Sequence, residues 1–386
     1  MRFTSFKNKN LLILSFALGL LFFGFNGAEQ HLTPFYDSIG KVNVAFIALA
    51  ILYSAIAVGN FLGPPIVNRI GIKSCLILGF LTYVLFIFGV IIKSELLIYV
   101  LSAVLGIGAG IIGIARIDFL RIIAPIKNRG EYAGLIETIR TFGGFLGLLS
   151  ISLLLLFFLI DQVFVLLGTV MILGTLLLFF LQNIKDEENF KATAFNFGPI
   201  IKFFKDPRVL LLIPHSAAGG LLLGLVLASV PLSIKENYGI EWIGVVTSVF
   251  HLTLAAFLFL GGYFSDIKGR FPVIYLSIAF SVAGALFFLL FKSLPMFFLI
   301  MFLFGLGRSV GVASFTALVI DVFEKESKEA KAVINNLGLV LGVVPAFILP
   351  IYLGQKEIFY ILILLTLTGG VLLFIFQKKF ALKTSS

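Results

Sequence analysis

Six ionisable residues lie inside long apolar stretches of the chain, where a charge is hardest to accommodate. A charged side chain in such a stretch usually faces a water-filled cavity or an opposite charge, because an apolar medium cannot solvate it. We therefore treat these residues as candidates for binding a solute or carrying a proton. They are Glu29, Arg116, Asp118, Glu137, Arg140 and Arg308.

Glu137 and Arg140 are three residues apart, so they share one face of a helix. In one interpretation, Arg140 binds an anionic group of a solute or gates together with an acid. In the other, Glu137 and Arg140 neutralise each other near the membrane surface. The matching position in the second half of the chain is Asn335, a further polar candidate.

Arg116 and Asp118 are two residues apart and cannot point the same way on a helix. One of them could face a cavity while the other pairs with Arg121 or with a neighbouring helix. A purely structural bridge, Arg116 with Glu137 or Asp118 with Arg140, is the competing interpretation.

The first apolar run carries three polar residues on one side of its helix, Asn26, Glu29 and Gln30, at spacings i, i+3 and i+4. Glu29 could bind a cation or carry a coupling proton. Alternatively, it lies at the outer water boundary.

Arg308 lies near the middle of its apolar run, with no acidic residue close in sequence. Its guanidinium group must therefore face water, a substrate or an acid from another helix. His215 and His251 also lie in apolar runs, where each could titrate or could be a satisfied polar residue.

The composition indicates a membrane protein. Of 386 residues, 60% are hydrophobic and only 12% are charged, with a mean hydropathy of +1.13. These values exclude a soluble enzyme and a disordered protein. The single cysteine, Cys75, excludes a disulfide framework and a cysteine-based metal cluster. No ATP-binding loop or Ser–His–Asp arrangement is present, so we expect no enzymatic activity, no cofactor and no metal.

The apolar runs predict an all-α polytopic membrane protein with twelve transmembrane helices. Each run is long enough to span a bilayer, which takes roughly 20 residues. The runs are 11–33, 42–64, 73–92, 96–124, 132–160, 162–181, 208–233, 242–264, 271–291, 294–320, 332–353 and 358–377.

Most of the 29 Lys and Arg residues fall in loops on the side of the N-terminus. Basic loops stay in the cytoplasm, so both termini are predicted to be cytoplasmic in a multi-pass protein of the cell membrane. The net charge of +10 then reflects membrane topology rather than nucleic-acid binding.

The longest polar stretch, 183–207, divides the chain into two six-helix halves, 1–182 and 208–386. We interpret this stretch as a cytoplasmic linker. Two short loop motifs lie 198 residues apart, one after the second run and one after the eighth. They contain Gly63, Asn68, Arg69 and Gly71 in the first half, and Gly262, Asp266, Gly269 and Arg270 in the second.

Glycines repeat at nearly the same offset, in pairs that allow close helix contacts. Gly106 and Gly108 match Gly305 and Gly307, and the pair Gly143/Gly147 matches Gly338/Gly342. Independent features at nearly one offset predict duplicated, pseudo-symmetric halves, a design used by transporters.

These features resemble the major facilitator superfamily. Its loop motif, G-x-x-x-D-x-x-G-[RK]-[RK], matches Gly262-Tyr-Phe-Ser-Asp266-Ile-Lys-Gly269-Arg270, except that Phe271 replaces the last basic residue. The first-half copy departs from the motif: Asn68 replaces the acid, Ile72 replaces a basic residue, and Gly63 is one position too far away. The resemblance implies that this loop holds two helices together in the outward-facing state, and that Asp266 does so more strongly than Asn68.

A narrower resemblance links Ile51-Leu52-Tyr53, Gly63-Pro64-Pro65 and Gly106-Ile-Gly-Ala-Gly110 to the branch that contains "uncoordinated"-type potassium-channel regulators. It implies a rival function, a non-transporting membrane protein that associates with a channel or another membrane partner.

The sequence favours a secondary active transporter that moves a small solute by alternating access. We expect proton coupling, with Glu29, Glu137 or Asp118 as the carrier. The three arginines in the spans favour an anionic or zwitterionic solute. We expect a monomer in the lipid bilayer with no nucleic-acid partner.

Overall fold

A computed structural model of the chain describes residues 8–124, 129–182, 203, 205–323 and 327–381. Within these residues, helix is the only regular secondary structure. The predicted linker falls outside the described residues over 183–202 and at position 204. Its sequence-based assignment therefore stays a prediction.

The described residues of the first half form six α-helices, each corresponding to one predicted span. They are α1 (Lys9–Ser38), α2 (Val42–Ile70), α3 (Ile72–Ile92), α4 (Glu95–Ile123), α5 (Arg129–Leu154) and α6 (Ile160–Leu177).

Within the part of the second half that the structure describes there are eight α-helices, because two of its spans are interrupted. They are α7 (Pro207–Leu227), α8 (Ser229–Tyr238), α9 (Trp242–Lys268), α10 (Arg270–Leu290), α11 (Leu294–Phe323), α12 (Ser327–Gly338), α13 (Val344–Tyr352) and α14 (Gln355–Phe376).

Eleven segments of the described chain are long and apolar enough to cross a membrane, with α7 and α8 counted together. Helix α9, bent by 44° between Leu258 and Leu260, completes twelve. The prediction of an all-α protein with twelve spans is therefore confirmed.

Prolines account for the two interruptions. Proline has no backbone N–H and cannot bond the carbonyl four residues earlier. Helix α7 ends at Leu227, four residues before Pro231. A π-helical turn, Leu339–Val343, joins α12 to α13 just ahead of Pro345.

The chain divides into two compact units. Unit 1 comprises Met1–Phe195 with Ile243–Val245, and unit 2 comprises Asn196–Trp242 with Val246–Ser386. In unit 1, α1 packs on α5 and α6, while α4 packs on α2 and α3. In unit 2, α7 packs on α12, α13 and α14, and α10 packs on α11 and α14.

Glycines bring these helices into backbone contact in unit 1. A Cβ atom on Gly106 of α4 would overlap the carbonyl oxygen of Leu52 on α2. A Cβ atom on Gly143 of α5 would likewise overlap the carbonyl oxygen of Gly19 on α1. Small residues permit this approach, and dispersion contacts between the backbones then stabilise the helix pairs.

The same contacts recur in unit 2. A Cβ on Gly305 of α11 would lie 3.0 Å from the carbonyl oxygen of Phe250 on α9, and one on Gly338 of α12 would overlap Ser216 on α7. Leu52 and Gly19 of unit 1 correspond to Phe250 and Ser216 of unit 2. The sequence offset between these counterparts is almost the same as the offset between the glycines that contact them. The sequence repeat is therefore a repeat of helix packing.

Candidate functional site

A cluster of three charged side chains joins α4 to α5 inside unit 1. Nη1 of Arg116 lies 2.8 Å from Oε1 of Glu137. One turn along α5, Nε of Arg140 donates to the other carboxylate oxygen of Glu137, also at 2.8 Å. One carboxylate thus bridges two guanidinium groups, and both structural pairings that the sequence suggested for Glu137 are formed.

The pairing leaves the cluster with one excess positive charge, since Arg116, Glu137 and Arg140 carry two positive charges and one negative. The three side chains also keep 27%, 39% and 27% of their surface exposed, respectively. A dry, neutralised bridge would have neither property. The arrangement can accept an anion without first breaking an ion pair.

Aromatic rings border this cluster on the side of α1 and α3. The guanidinium carbon of Arg140 lies 4.6 Å from the centre of the Phe22 ring, a cation–π contact. The Tyr83 ring lies 6.1 Å from the Phe22 ring. Tyr83 is close enough to interact electrostatically with Glu29, Arg116 and Arg140, so these residues belong to one polar region.

Glu29 faces α2, where the hydroxyl of Tyr53 donates to Glu29 Oε1 at 2.8 Å. Only 4% of Glu29 is exposed, so its carboxyl group is enclosed by protein rather than placed at a water boundary. No basic residue bonds directly to it among the described residues. A phenol can donate to the carboxylate, and it can also remain beside the protonated acid.

Asn26 and Gln30 lie beside Glu29 on α1 and are both buried. The amide nitrogen of Asn26 occupies the space that a Cβ on Gly144 of α5 would take. Neither amide atom of Gln30 has a hydrogen-bond partner within the described part of the chain. Buried amides normally find partners, so Gln30 keeps both a donor and an acceptor available.

Asp118 lies apart from this pairing. Its Oδ1 is 3.7 Å from Nε of Arg121, one turn further along α4. A pairing of Asp118 with Arg121 is one of the arrangements that the sequence left open.

In unit 2, Arg308 projects from α11 toward α7. Its Nη1 lies 2.9 Å from the point that a Cβ on Gly219 would occupy. Asn335, the counterpart of Arg140, is an exposed residue of α12.

The two loop motifs have the same backbone turn. Gly71 ends α2 with φ of 85° and ψ of 159°, and Gly269 ends α9 with φ of 87° and ψ of 159°. Residues with a side chain rarely adopt a positive φ, which explains a glycine at each position. Gly63 is a packing residue, because a Cβ there would lie 2.6 Å from Ile114 on α4. No Cβ contact of this closeness is seen at Gly262.

Only the second-half motif is tied by ion pairs among the described residues. Arg270 forms a short ion pair with Asp266 and places its Nε 2.9 Å from Oδ2 of Asp321 on α11. Arg270 also donates to Ser265 at 3.2 Å. In the described chain, Arg69 forms no such ion pair, and Asn68 is uncharged. The two loops therefore differ as their sequences do.

Sequence reasoning missed three partners: Tyr53 and Tyr83 in the polar region of unit 1, and Asp321 in the loop cluster. Each lies on a different helix from the residue that it contacts. An acid directly after the tenth predicted span, 294–320, was a signal for Asp321. For the tyrosines, the signal was only a polar hydroxyl in an apolar run.

A separate cavity of about 290 Å³ lies between α2, α3 and α4. It is lined by apolar side chains such as Ile66, Leu78 and Ile107, and its one hydroxyl, on Thr82, is bonded to the carbonyl of Gly79. It therefore offers nothing to a polar solute. Within the described residues, no group of three or more His, Cys, Asp or Glu residues could hold a metal.

The family model described as Major Facilitator Superfamily matches residues 11–242 and 216–386. The chain therefore belongs to this superfamily, as the loop motif suggested, and is a multi-pass membrane protein.

Known proteins similar to the chain fall into two kinds. Protein unc-93 homolog A of Danio rerio is 25% identical over 97% of this chain and 92% of its own length. Among solved structures, the nucleoside transporter NupG aligns with a TM-score of 0.74 at 14% identity, covering 96% of this chain and 99% of NupG. A D-xylose-proton symporter aligns with a TM-score of 0.70 at 16% identity, over 96% and 97% of the two chains. The structural matches establish the shared fold.

Proposed function

We propose that this member of the major facilitator superfamily is a secondary active transporter that moves a small solute by alternating access. The observation that carries the proposal is the cluster of Arg116, Glu137 and Arg140. Its charged side chains lie within membrane spans yet remain 27–39% exposed. Charges at that depth require a polar cavity, which a transporter needs and a packed regulatory bundle does not.

The charge of the cluster favours an anionic or zwitterionic solute. Arg116 and Arg140 share one carboxylate, and a carboxylate or phosphate of the solute would balance the remaining positive charge. Arginine suits this role because its planar guanidinium group can donate two parallel hydrogen bonds. Asn26 and Gln30 would add neutral hydrogen bonds to the same solute.

We propose Glu29 as the proton carrier. Two guanidinium groups bind the Glu137 carboxylate, and Arg121 lies 3.7 Å from Asp118, so both of these acids already have a basic partner. Glu29 has a neutral phenol as its bonded partner and can exist with or without a proton. Proton coupling also has a precedent in a protein of this fold, the D-xylose-proton symporter.

In this proposal, Asp266, Arg270 and Asp321 act as a latch at the ends of α9, α10 and α11. Forming and breaking these ion pairs would accompany the conformational change. Asn68 and Arg69 would contribute less, because the first loop lacks the acid.

We further propose the organisation suggested by the sequence, with halves 1–182 and 208–386, a cytoplasmic linker at 183–207, and cytoplasmic termini in the cell membrane. The protein would act as a monomer without an enzymatic step or a cofactor.

A second candidate function is a non-transporting regulatory protein that associates with a channel or another membrane partner. The likeness to protein unc-93 homolog A over 97% of the chain favours it. The two candidates differ in one respect that can be measured, because only a transporter moves a solute in a purified system.

The experiment uses proteoliposomes that contain a pH-sensitive dye. Amino acids, organic acids, sugars and nucleosides are added in turn to the wild type and to Glu29→Gln, Arg140→Gln and Lys41→Gln. We expect solute-dependent proton flux that disappears in Glu29→Gln. For an anionic solute, KM should rise roughly tenfold or more in Arg140→Gln, as expected for the loss of a charged hydrogen bond.

Lys41→Gln is the matched control, since Lys41 forms an exposed ion pair with Glu95 outside the polar region. It should behave like the wild type. If labelled solutes also fail to enter liposomes that contain folded protein, the regulatory function replaces the transporter.

A further inference from the structure

We propose that the apolar cavity of unit 1 is a binding site for one phospholipid with an anionic headgroup. An acyl chain of this lipid would lie in the cavity between α2, α3 and α4, and its phosphate would bind Arg69. Such a site would serve a transporter and a regulatory protein alike.

The cavity opens toward the surrounding bilayer. One apolar side chain from each of its three helices is exposed at the surface of the spans: Ile70 on α2 by 42%, Leu78 on α3 by 52% and Val104 on α4 by 39%. Apolar side chains exposed on membrane spans face lipid tails, which are as apolar as leucine. A lipid in the bilayer therefore has direct access to the cavity.

Two buried glycines lie at the bottom of the cavity, one on α3 and one on α4. A Cβ on Gly79 would overlap Ile112 of α4, and a Cβ on Gly108 would overlap the hydroxyl of Thr82 on α3. The two helices thus approach closely there, while larger side chains such as Leu78 and Ile107 form the walls. The result is an apolar groove between packed helices.

The dimensions of the cavity suit one lipid chain. Its lining residues run from Cys75 to Thr82 on α3 and from Val104 to Ile111 on α4, which is about 10 Å along each helix. One leaflet contributes roughly 15 Å of hydrocarbon, so the cavity fits within a single leaflet. Its volume of 290 Å³ would hold roughly ten groups of the size of a water molecule or a methylene.

A basic residue lies at the end of the cavity, on the side of the basic loops. Ile66 and Ile70 of α2 line the cavity, and Arg69 lies three residues after Ile66, on the same helix face. Arg69 is exposed and forms no ion pair among the residues that the structure describes. A Cβ on the neighbouring Gly71 would meet no atom within 4 Å, so a headgroup has room beside Arg69.

The other charged groups of the described helices at this end do not neutralise Arg69. Lys73 of α3 donates to the carbonyl oxygen of Phe179, just after α6, at 2.8 Å and keeps its charge. On α4, Asp118 has Arg121 at 3.7 Å. Three basic side chains and one acidic side chain leave this end of unit 1 positive, which favours an anionic headgroup over a zwitterionic one.

The test is a lipid titration of the full-length protein, purified in detergent and freed of lipid, with native mass spectrometry as the readout. The probes are phosphatidylglycerol and phosphatidylcholine with the same acyl chains, which differ in headgroup charge. We expect one saturable site that binds phosphatidylglycerol roughly fivefold more tightly, the contribution of one basic residue near a membrane surface.

Arg69→Gln tests the recognition of the headgroup. The variant should lose most of the preference for phosphatidylglycerol and bind phosphatidylcholine like the wild type. Lys268→Gln is the matched control, because Lys268 is likewise exposed at the end of a span, next to Gly269, the counterpart of Gly71. It should keep the full preference.

Val104→Trp tests the cavity itself, since a large side chain at this exposed wall position would fill the space. Both lipids should bind roughly tenfold more weakly or worse, as expected if about two methylene groups are expelled from an apolar site. Val100→Trp is the matched control: Val100 lies one turn away on α4, is also exposed and does not line the cavity. Thermal unfolding like that of the wild type shows that each variant is folded.

The proposal is overturned if the two lipids bind equally to the wild type, or if Arg69→Gln keeps the preference. It is also overturned if Val104→Trp binds lipid like Val100→Trp, or if lipid binding does not saturate at one site. Because the readout is lipid binding, failure here leaves the proposed transport function untouched, and failure of transport leaves the lipid site untouched.

Discussion

At the scale of single residues, Glu137 has the most consequential position, because it alone separates two like charges. Glu137→Gln would leave Arg116 and Arg140 side by side without a counter-charge. Removing one partner of an ion pair is more damaging than removing both. Since the side chains are partly exposed, we expect a loss of about 1–2 kcal/mol in stability rather than the full cost of a buried pair.

Thermal unfolding can be followed with a thiol-reactive dye, because Cys75 is the sole cysteine and is buried in the folded protein. The double variant Glu137→Gln/Arg116→Gln restores the original net charge of the cluster and should recover part of the loss. A double variant less stable than Glu137→Gln would show that charge balance is not what Glu137 provides.

Lys292, between α10 and α11, gives a prediction about pH. Its Nζ lies 3.5 Å from the centre of the Phe288 ring. Burial lowers the pKa of Lys292 to about 8, while Glu236 partly opposes this effect and Lys356 adds to it. Because the pKa is lower in the folded state, the unfolded state binds more protons between pH 8 and about pH 10.4. Stability therefore rises with pH across this window.

Below pH 8, Lys292 is charged in both the folded and the unfolded state, so the free-energy cost of burying its charge fully destabilises the folded protein. Lys292→Met should therefore stabilise the protein at pH 7 by about 1 kcal/mol, after allowance for solvent screening of this half-exposed group. The stability advantage of Lys292→Met over the wild type should shrink as the pH approaches 10. Scanning calorimetry at pH 7 and pH 10 checks this, and an advantage that grows with pH would refute the assignment.

The sequence could predict contacts within one helix at this scale, but only some contacts between helices. The spacing of Glu137 and Arg140 implies their pairing, because helix geometry alone brings them together. The bridge to Arg116 was one of several possibilities. The contact between Glu29 and Tyr53 depends on how α1 packs against α2, which local sequence does not encode.

At the scale of helices and turns, the two loop motifs provide a matched pair of substitutions. Asp266→Ala removes one of the two carboxylates bound to Arg270, whereas Asn68→Ala changes a residue without an ion pair. We expect Asp266→Ala to slow transport several-fold and Asn68→Ala to remain near the wild-type rate. Asp266 is exposed, so both variants should keep their stability within about 1 kcal/mol.

The measurement is the initial rate of solute uptake by each variant, with protein amounts matched. Equal rates for the two variants would remove the basis for an asymmetric latch.

Hydropathy located the helices well but misplaced several of their ends. Helix α8 continues to Tyr238 and α9 to Lys268, four or five residues beyond the predicted runs. An apolar run ends where side chains become polar, while a helix continues until its backbone hydrogen bonding stops. Gly239 and Gly269, both with positive φ, provide those stops.

At the scale of the whole molecule, duplication explains why the fold was predictable. Twelve apolar runs, the topology of basic residues and glycines at a nearly constant offset all point to the same architecture. The candidate functional residues depart from the repeat, because Glu137 and Arg140 cluster in unit 1 whereas the unit 2 counterpart of Arg140 is the uncharged Asn335. A repeat in sequence therefore predicts the scaffold, and the departures from it indicate where to look for function.

The central claim, that the protein transports a charged solute, is tested most directly by counterflow in proteoliposomes without an ion gradient. Liposomes are loaded with an unlabelled solute, and uptake of the same labelled solute is followed over time. Our account predicts a transient overshoot for at least one anionic or zwitterionic solute, absent from protein-free liposomes. Uptake equal to that of protein-free liposomes for every solute, with folded wild-type protein, would contradict it.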